Sequence, residues 1–156
     1  MQSQIINLCF SIMDNIDHTP KQQTLLYVED NLANVALVRQ LLARRNDINF
    51  LTARSGDLGM IMARTHEPVV ILMDINLPDM SGYDVLELLR NDPITREIPV
   101  IALSSRAHLR EVVKGVEAGF FRYLTKPYKL DDLLEALNSA LDFISAKMNS
   151  MTLTGT

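Results

Sequence analysis

Four positions in this chain set a chemically active side chain at the abrupt end of an apolar run. Val69-Val70-Ile71-Leu72-Met73 stops on Asp74, Leu25-Leu26-Tyr27-Val28 on Glu29-Asp30, Val100-Ile101-Ala102-Leu103 on Ser104-Ser105, and Phe121-Arg122-Tyr123-Leu124-Thr125 on Lys126-Pro127. Taken alone, Asp74 is ambiguous, because an aspartate after a strand often only caps a turn. Four such ends are another matter, since the carboxyl edge of a parallel sheet is where ligands and chemistry collect. Glu29, Asp30 and Asp74 brought together would repel one another when ionised. A divalent cation with hard oxygen ligands resolves the conflict. Mg²⁺ fits best, because it takes a few carboxylates and keeps waters or phosphate oxygens in its shell.

The elements that must position these groups follow from the apolar pattern. The unbroken run before Asp74 lacks the alternation of a half-solvated strand and reads as a strand buried on both faces, as in a parallel sheet covered by helices. A helix is expected from about Asn31 to Arg45, with Leu37, Val38, Leu41 and Leu42 as its buried stripe and Asn34 on the same stripe. Ile48 to Ala53 reads as a second strand, and Ser55 or Asp57 opens a helix running to about His66. Pro78 and Ser81-Gly82 turn the chain into a helix from Tyr83 to Asn91, with Val85, Leu86, Leu88 and Leu89 partly buried and Pro93 as the stop. Ala107 to Ala118 reads as a polar helix ended by Gly119, and Leu130 to Met148 as a final helix with Asp131-Asp132 at its positive end. Strict alternation of five strands and five helices gives an α/β fold, a doubly wound five-stranded parallel sheet with helices on both faces.

The motifs Tyr27-Val28-Glu29-Asp30-Asn31, Leu72-Met73-Asp74-Ile75-Asn76-Leu77-Pro78, Ile101-Ala102-Leu103-Ser104-Ser105 and Tyr123-Leu124-Thr125-Lys126-Pro127 together resemble the receiver domain of two-component response regulators. Asp30 lies 44 positions before Asp74, Ser104 30 after it and Lys126 52 after it, in the order and register of that family. The likeness covers about residues 23 to 147, and Asp30-Asn31 followed by Asn34 is similar to the receivers attached to hybrid histidine kinases. It implies the flavodoxin-like strand order 2-1-3-4-5, which is the order given for this fold in general.

The resemblance also implies roles. Asp74 is the phosphoacceptor, taking a phosphoryl group from a phosphohistidine on a histidine kinase or histidine phosphotransfer protein. Mg²⁺ is held by Glu29, Asp30, Asp74 and the backbone carbonyl of Asn76. Lys126 and Ser104 meet the phosphoryl oxygens, and a cis Lys126-Pro127 peptide aims the lysine inward. Ser104 and Tyr123 form a switch in which the ring moves from exposed to buried and reshapes a surface for a downstream protein partner or a second copy of the chain. Arg106, Arg110, Lys114, Arg122 and Lys129 border that surface, which favours an acidic or mixed-charge partner. Two departures from the common pattern are Leu32, where many hybrid-type receivers carry proline, and Ser105, where alanine is usual.

Composition narrows the remaining classes. The chain has 156 residues, 47% of them hydrophobic, and a net charge of -4, enough apolar content for one proper core and no basic footprint for nucleic acid. No run has the length of a membrane span, so a cytoplasmic protein is expected. Cys9 is the single cysteine, which removes intrachain disulfides and cysteine metal sites. His18, His66 and His108 are scattered and receive no role. Residues 1–23 read as an N-terminal extension and linker with an apolar side from Ile5 to Met13, residues 24–148 as the receiver domain, and residues 149–156 as a loose tail with no room after Lys126 for a DNA-binding domain. The chain is expected to be no enzyme beyond its own phosphorylation and dephosphorylation. Alternatives are a phosphoryl sink or relay belonging to a hybrid histidine kinase, a binding module that has lost phosphorylation, and a haloacid-dehalogenase-like phosphohydrolase. The last needs a second aspartate two residues beyond the nucleophile, where Asn76 stands.

Overall fold

The computed structural model describes residues 22–153; the apolar segment Ile5 to Met13, Cys9 and His18 lie outside the described residues. Strands and helices alternate as β1 (Gln23–Val28), α1 (Leu32–Leu42), β2 (Ile48–Ala53), α2 (Gly56–His66), β3 (Val70–Asp74), α3 (Gly82–Asn91), β4 (Val100–Ser104), α4 (Leu109–Ala118), β5 (Arg122–Thr125) and α5 (Leu130–Leu153). All strand pairs are parallel and the sheet order is β2-β1-β3-β4-β5. Among the described residues, no helix is long and apolar enough to cross a membrane.

Every residue of β3 and β4 is buried, as expected for central strands with helices on both faces. Alternation along β3 feeds two cores. Ile71 and Met73 join Val85, Leu86, Leu89 and Phe120 on one face, while Val70 and Leu72 join Val35, Val38, Leu133 and Leu137 on the other. The register sets β1 against β3 as Val28↔Met73, β3 against β4 as Asp74↔Leu103, and β4 against β5 as Ser104↔Thr125. The strands therefore run out almost in line, and the next residues share one edge.

Local chemistry fixes where the helices start. Asn31 caps α1 by accepting from the backbone of Ala33 and Asn34, Ser55 caps α2, and Ser81 with Asp84 forms a capping box on α3. Gly119 ends α4 with φ 108, a left-handed conformation that favours glycine.

Four expectations need correction. Leu37 is 56% exposed, because the buried stripe of α1 is Val35, Val38 and Leu42. Leu88 is 45% exposed, while Val85, Leu86 and Leu89 are buried. The final helix runs to Leu153, past the end expected at Met148, so residues up to Leu153 are helical where a loose tail was expected. The α4 helix is also less polar than its charges suggest, exposing Leu109, Val113 and Val116 and burying only Gly115.

Candidate functional site

Asp74 closes β3 at the centre of the edge and is 5% exposed. Its Oδ1 accepts a hydrogen bond from the backbone N–H of Asn76 at 3.3 Å and faces Lys126 Nζ at 3.5 Å. Burial first, and then the neighbouring Glu29 charge, push its carboxyl up to about 6 against the partial relief supplied by Lys126.

Glu29 is buried in the same pocket and has four donors. Its Oε1 accepts from the backbone N–H of Asn31 at 3.1 Å, and its Oε2 accepts from the Tyr27 hydroxyl at 2.9 Å, Asn34 Nδ2 at 3.1 Å and Lys126 Nζ at 3.1 Å. Burial pushes this carboxyl up, but the Asn31 amide, Lys126 and Tyr27 outweigh it and leave it below the usual range. Lys126 shows the mirror image. Burial works to lower it, and Glu29 and Asp74 hold it raised.

Asp30 is exposed at the mouth of the pocket. Carboxylate oxygens of Glu29, Asp30 and Asp74 all lie within 4.8 Å of one another, an arrangement that could hold a metal ion. The donor set is all oxygen, which suits a hard divalent cation. Glu29 enters that set with most of its acceptor sites already used, so Asp30 and Asp74 offer the freer oxygens.

Ser104 ends β4 fully buried, its hydroxyl accepting from the backbone N–H of Arg106 at 3.1 Å. The backbone N–H of Lys126 donates to the Ser104 carbonyl at 2.6 Å, and the Lys126-Pro127 peptide is cis. Asn76 is exposed, with Nδ2 at 3.5 Å from the Ser105 hydroxyl. Tyr123 lies on β5 opposite Ala102, away from the carboxylates; its ring is already buried, where the expected switch starts from an exposed ring, and its hydroxyl lacks a hydrogen-bond partner of normal geometry among the described residues.

The fold thus brings Glu29, Asp30, Asp74 and Lys126 into one pocket with Ser104 at the end of the neighbouring strand, while Tyr123 occupies a separate aromatic cluster. Sequence reasoning gave Tyr27 no role in the site, reading it as part of an apolar strand and of a motif; its place two residues before Glu29, hence on the same strand face, was the available signal. It also missed Asp79, whose carboxylate accepts from the backbone N–H groups of Gly56 and Asp57 at 2.8 and 2.9 Å and so ties the loop after β3 to the start of α2.

A family model for the response regulator receiver domain matches residues 25–138. The cell cycle response regulator CtrA of Brucella ovis is 31% identical over 131 residues, covering 84% of this chain and 55% of the relative, and CtrA of Brucella abortus matches to the same degree. The chain therefore spans about half the length of these relatives. Among solved structures, a CheY-like response regulator receiver domain protein from Methanospirillum hungatei superposes with a TM-score of 0.72 at 26% identity, covering 81% of this chain and 98% of that one. The receiver domain of sensor histidine kinase PA1611 from Pseudomonas aeruginosa, with a magnesium ion coordinated in its active site cleft, superposes with a TM-score of 0.69 at 29% identity, covering 78% and 98%. Response regulator receivers are signalling domains that interact with histidine kinases or phosphotransfer proteins, and it is to this receiver domain family of two-component systems that the chain belongs.

Proposed function

We propose that Asp74 accepts a phosphoryl group from a phosphohistidine on a partner kinase or phosphotransfer protein. The observation that carries this reading is one pocket holding three carboxylates within 4.8 Å of one another with Lys126 Nζ at 3.5 Å from Asp74. An Asp74 carboxylate oxygen attacks phosphorus, the P–N bond to the imidazole breaks, and its electron pair stays with the departing ring nitrogen. Phosphoryl transfer asks the protein mainly for position and charge neutralisation. Lys126 and the Ser104 hydroxyl supply donors to the phosphoryl oxygens. Asp30, Asp74 and the Asn76 backbone carbonyl would hold Mg²⁺, with Glu29 beside them as the anion that secures Lys126. When bound, Mg²⁺ neutralises the crowded carboxylates and the incoming phosphate.

The partner's approach has a natural track. A hollow of about 370 Å³ lined by Asn34, Leu37, Lys126, Pro127 and Tyr128 shares Lys126 with the acidic pocket and Leu37 with a neighbouring hollow of about 620 Å³, which Gln40, Leu41, Arg44 and Leu130 also line. The exposed Leu37 and Leu130 give this track an apolar floor suited to the side of a helix bearing the phosphohistidine. This reading places the domain in the cytoplasm together with its partner. The signal leaves through the α4 and β5 face, where exposed Leu109, Val113 and Val116 stand among Arg106, Arg110, Lys114, Arg122 and Lys129, a surface for an acidic or mixed-charge protein or a second copy. Coupling runs from Ser104 to Tyr123 along adjoining strands.

Beryllofluoride with Mg²⁺ is expected to form an adduct on Asp74 alone, seen by ¹⁹F NMR and abolished by chelator. An adduct of equal strength on the Asp74→Asn variant refutes the assignment.

A further inference from the structure

The Tyr123 ring packs against α4 where the helix carries no side chain. Gly115 is the only α4 residue that is buried. A Cβ built on it would fall 2.3 Å from Tyr123 Cδ2, 2.8 Å from Cε2 and 3.2 Å from Cγ. These atoms belong to the base of a rigid ring fixed to β5, not to the tip of a flexible chain, so the ring could not give way by bending. Gly115 is not there for its backbone, because Gly119 is the only glycine with positive φ among the described residues. Nor does helix propensity favour it, since glycine inside a helix is worse than alanine. The remaining reason for glycine is the space it leaves.

On the other sides the ring is held by aromatic edges. Phe120 meets Tyr123 edge-on at 6.4 Å, and Tyr83 meets Phe120 edge-on at 5.4 Å. The tip is less well served, as the buried Tyr123 hydroxyl has only the Tyr83 hydroxyl near it and makes no hydrogen bond of normal geometry among the described residues, while the Tyr83 hydroxyl donates to the Glu111 carbonyl at 3.5 Å. Packing at the base therefore favours the buried ring and the hydroxyl at the tip opposes it. The Gly115 space decides the balance.

We propose that Gly115 is a positioning residue for Tyr123: the absent side chain makes the slot in α4 that accepts the buried ring and so permits the buried-ring arrangement of the α4 and β5 face. The inference rests on the proposed coupling of Ser104 to Tyr123 for its consequence in signalling, though the slot itself does not. A side chain at 115 turns the ring out and leaves the face unable to adopt the buried-ring arrangement.

The test uses the full chain labelled with 3-fluorotyrosine, with the Tyr123 resonance assigned by Tyr123→Phe, together with thermal midpoints. Gly115→Ala is expected to shift the Tyr123 resonance to a position sensitive to replacement of H₂O by D₂O and to lower the midpoint. In the Tyr123→Ala background the same substitution is expected to raise the midpoint, because only its helix-favouring effect remains. A general role for Gly115 in the helix predicts the same sign in both backgrounds. The proposal is overturned if Gly115→Ala raises the midpoint in both, or if the Tyr123 resonance stays in place. Should Gly115→Ala fail to fold alone, the Tyr123→Ala pair decides, a rise supporting the slot and a fall overturning it. A wild-type chain that forms no beryllofluoride adduct at Asp74 overturns the phosphoacceptor reading instead and leaves the ring measurements to judge Gly115.

Discussion

Neutralising Asp74 should stabilise the metal-free domain by an amount that depends on pH. The carboxyl is moved from the 3.8 of a free aspartate to about 6 in the folded chain. Well below pH 3.8 it is protonated in both states and costs nothing. As pH rises from 4 to 6 the unfolded chain gives up this proton while the folded chain keeps it, so stability falls; above pH 6 the loss is complete. A displacement of that size corresponds to about 3 kcal/mol at most. The attraction of Lys126 is already contained in it, because the value of about 6 is the net of burial, Glu29 and Lys126. The amide that Asp74→Asn introduces must find new partners in a buried place, which takes back about 1 kcal/mol.

The expected gain from Asp74→Asn is therefore about 2 kcal/mol at pH 8 in chelator, or roughly 6–10 °C in the midpoint of a domain this size. It should cross zero between pH 4 and 5 and become a loss of about 1 kcal/mol at lower pH, where only the cost of the buried amide remains. Mg²⁺ at about 100 times its dissociation constant adds roughly 2.7 kcal/mol to the wild type alone and should erase the variant's advantage. Thermal denaturation of both chains across pH 4–8, with chelator and with Mg²⁺, measures all three effects. An advantage that is the same at pH 4 and pH 8, or a wild type that is the more stable at pH 8 in chelator, would falsify the account of an under-solvated carboxylate.

Asp30→Ala is expected to weaken Mg²⁺ binding at least tenfold by titration while moving the metal-free midpoint little, because Asp30 is exposed and its carboxylate has no hydrogen-bond or ion-pair partner to lose among the described residues; unchanged Mg²⁺ affinity would mean the acidic pocket has been misread. Tyr27→Phe removes one of the four donors on buried Glu29 and should cost about 1–2 kcal/mol in denaturant titration; no loss would show that Asn31, Asn34 and Lys126 suffice. Leu37→Glu places a charge on the floor of the groove beside Lys126 and should slow transfer from a phosphohistidine protein several-fold while leaving beryllofluoride binding unchanged. Equal effects on both would locate Leu37 in the pocket rather than on the partner's track.

What could be read from the sequence was whatever depends on burial alone. The runs ending at Asp74 and Ser104 are apolar throughout because β3 and β4 are covered on both sides, and their ends fixed the site's edge. Helix faces were harder. In α1 two apolar stripes overlap, Leu37-Leu41 and Val35-Val38-Leu42, and only contact with the sheet selects the second. The end of α5 was misplaced because Asn149, Ser150 and Thr152 have the composition of a tail, although no glycine or proline stops the helix before Leu153. Hydrogen bonds inside the site were least legible. The Tyr27 hydroxyl is hidden in an apolar word, and the reach of Asp79 to α2 crosses 23 positions of chain.

Those hydrogen bonds explain how one pocket can hold two buried carboxylates with different work to do. Glu29 and Asp74 share Lys126, at 3.1 and 3.5 Å, and are similarly buried. What separates them is the supply of donors, four at Glu29 against the Asn76 amide and a longer contact to Lys126 at Asp74. Environment then drives the two in opposite directions, Glu29 down and Asp74 up. Glu29 is a settled anion whose gain comes from staying as it is, and it fixes the lysine. Asp74 has unmet demand for positive charge, so a cation and the Lys126 ammonium improve its situation most when a phosphoryl group adds further negative charge beside it. A pocket with both carboxylates equally satisfied would have less to gain from metal or phosphate, and the uneven hydrogen bonding of Tyr27, Asn31 and Asn34 is what keeps that gain for Asp74.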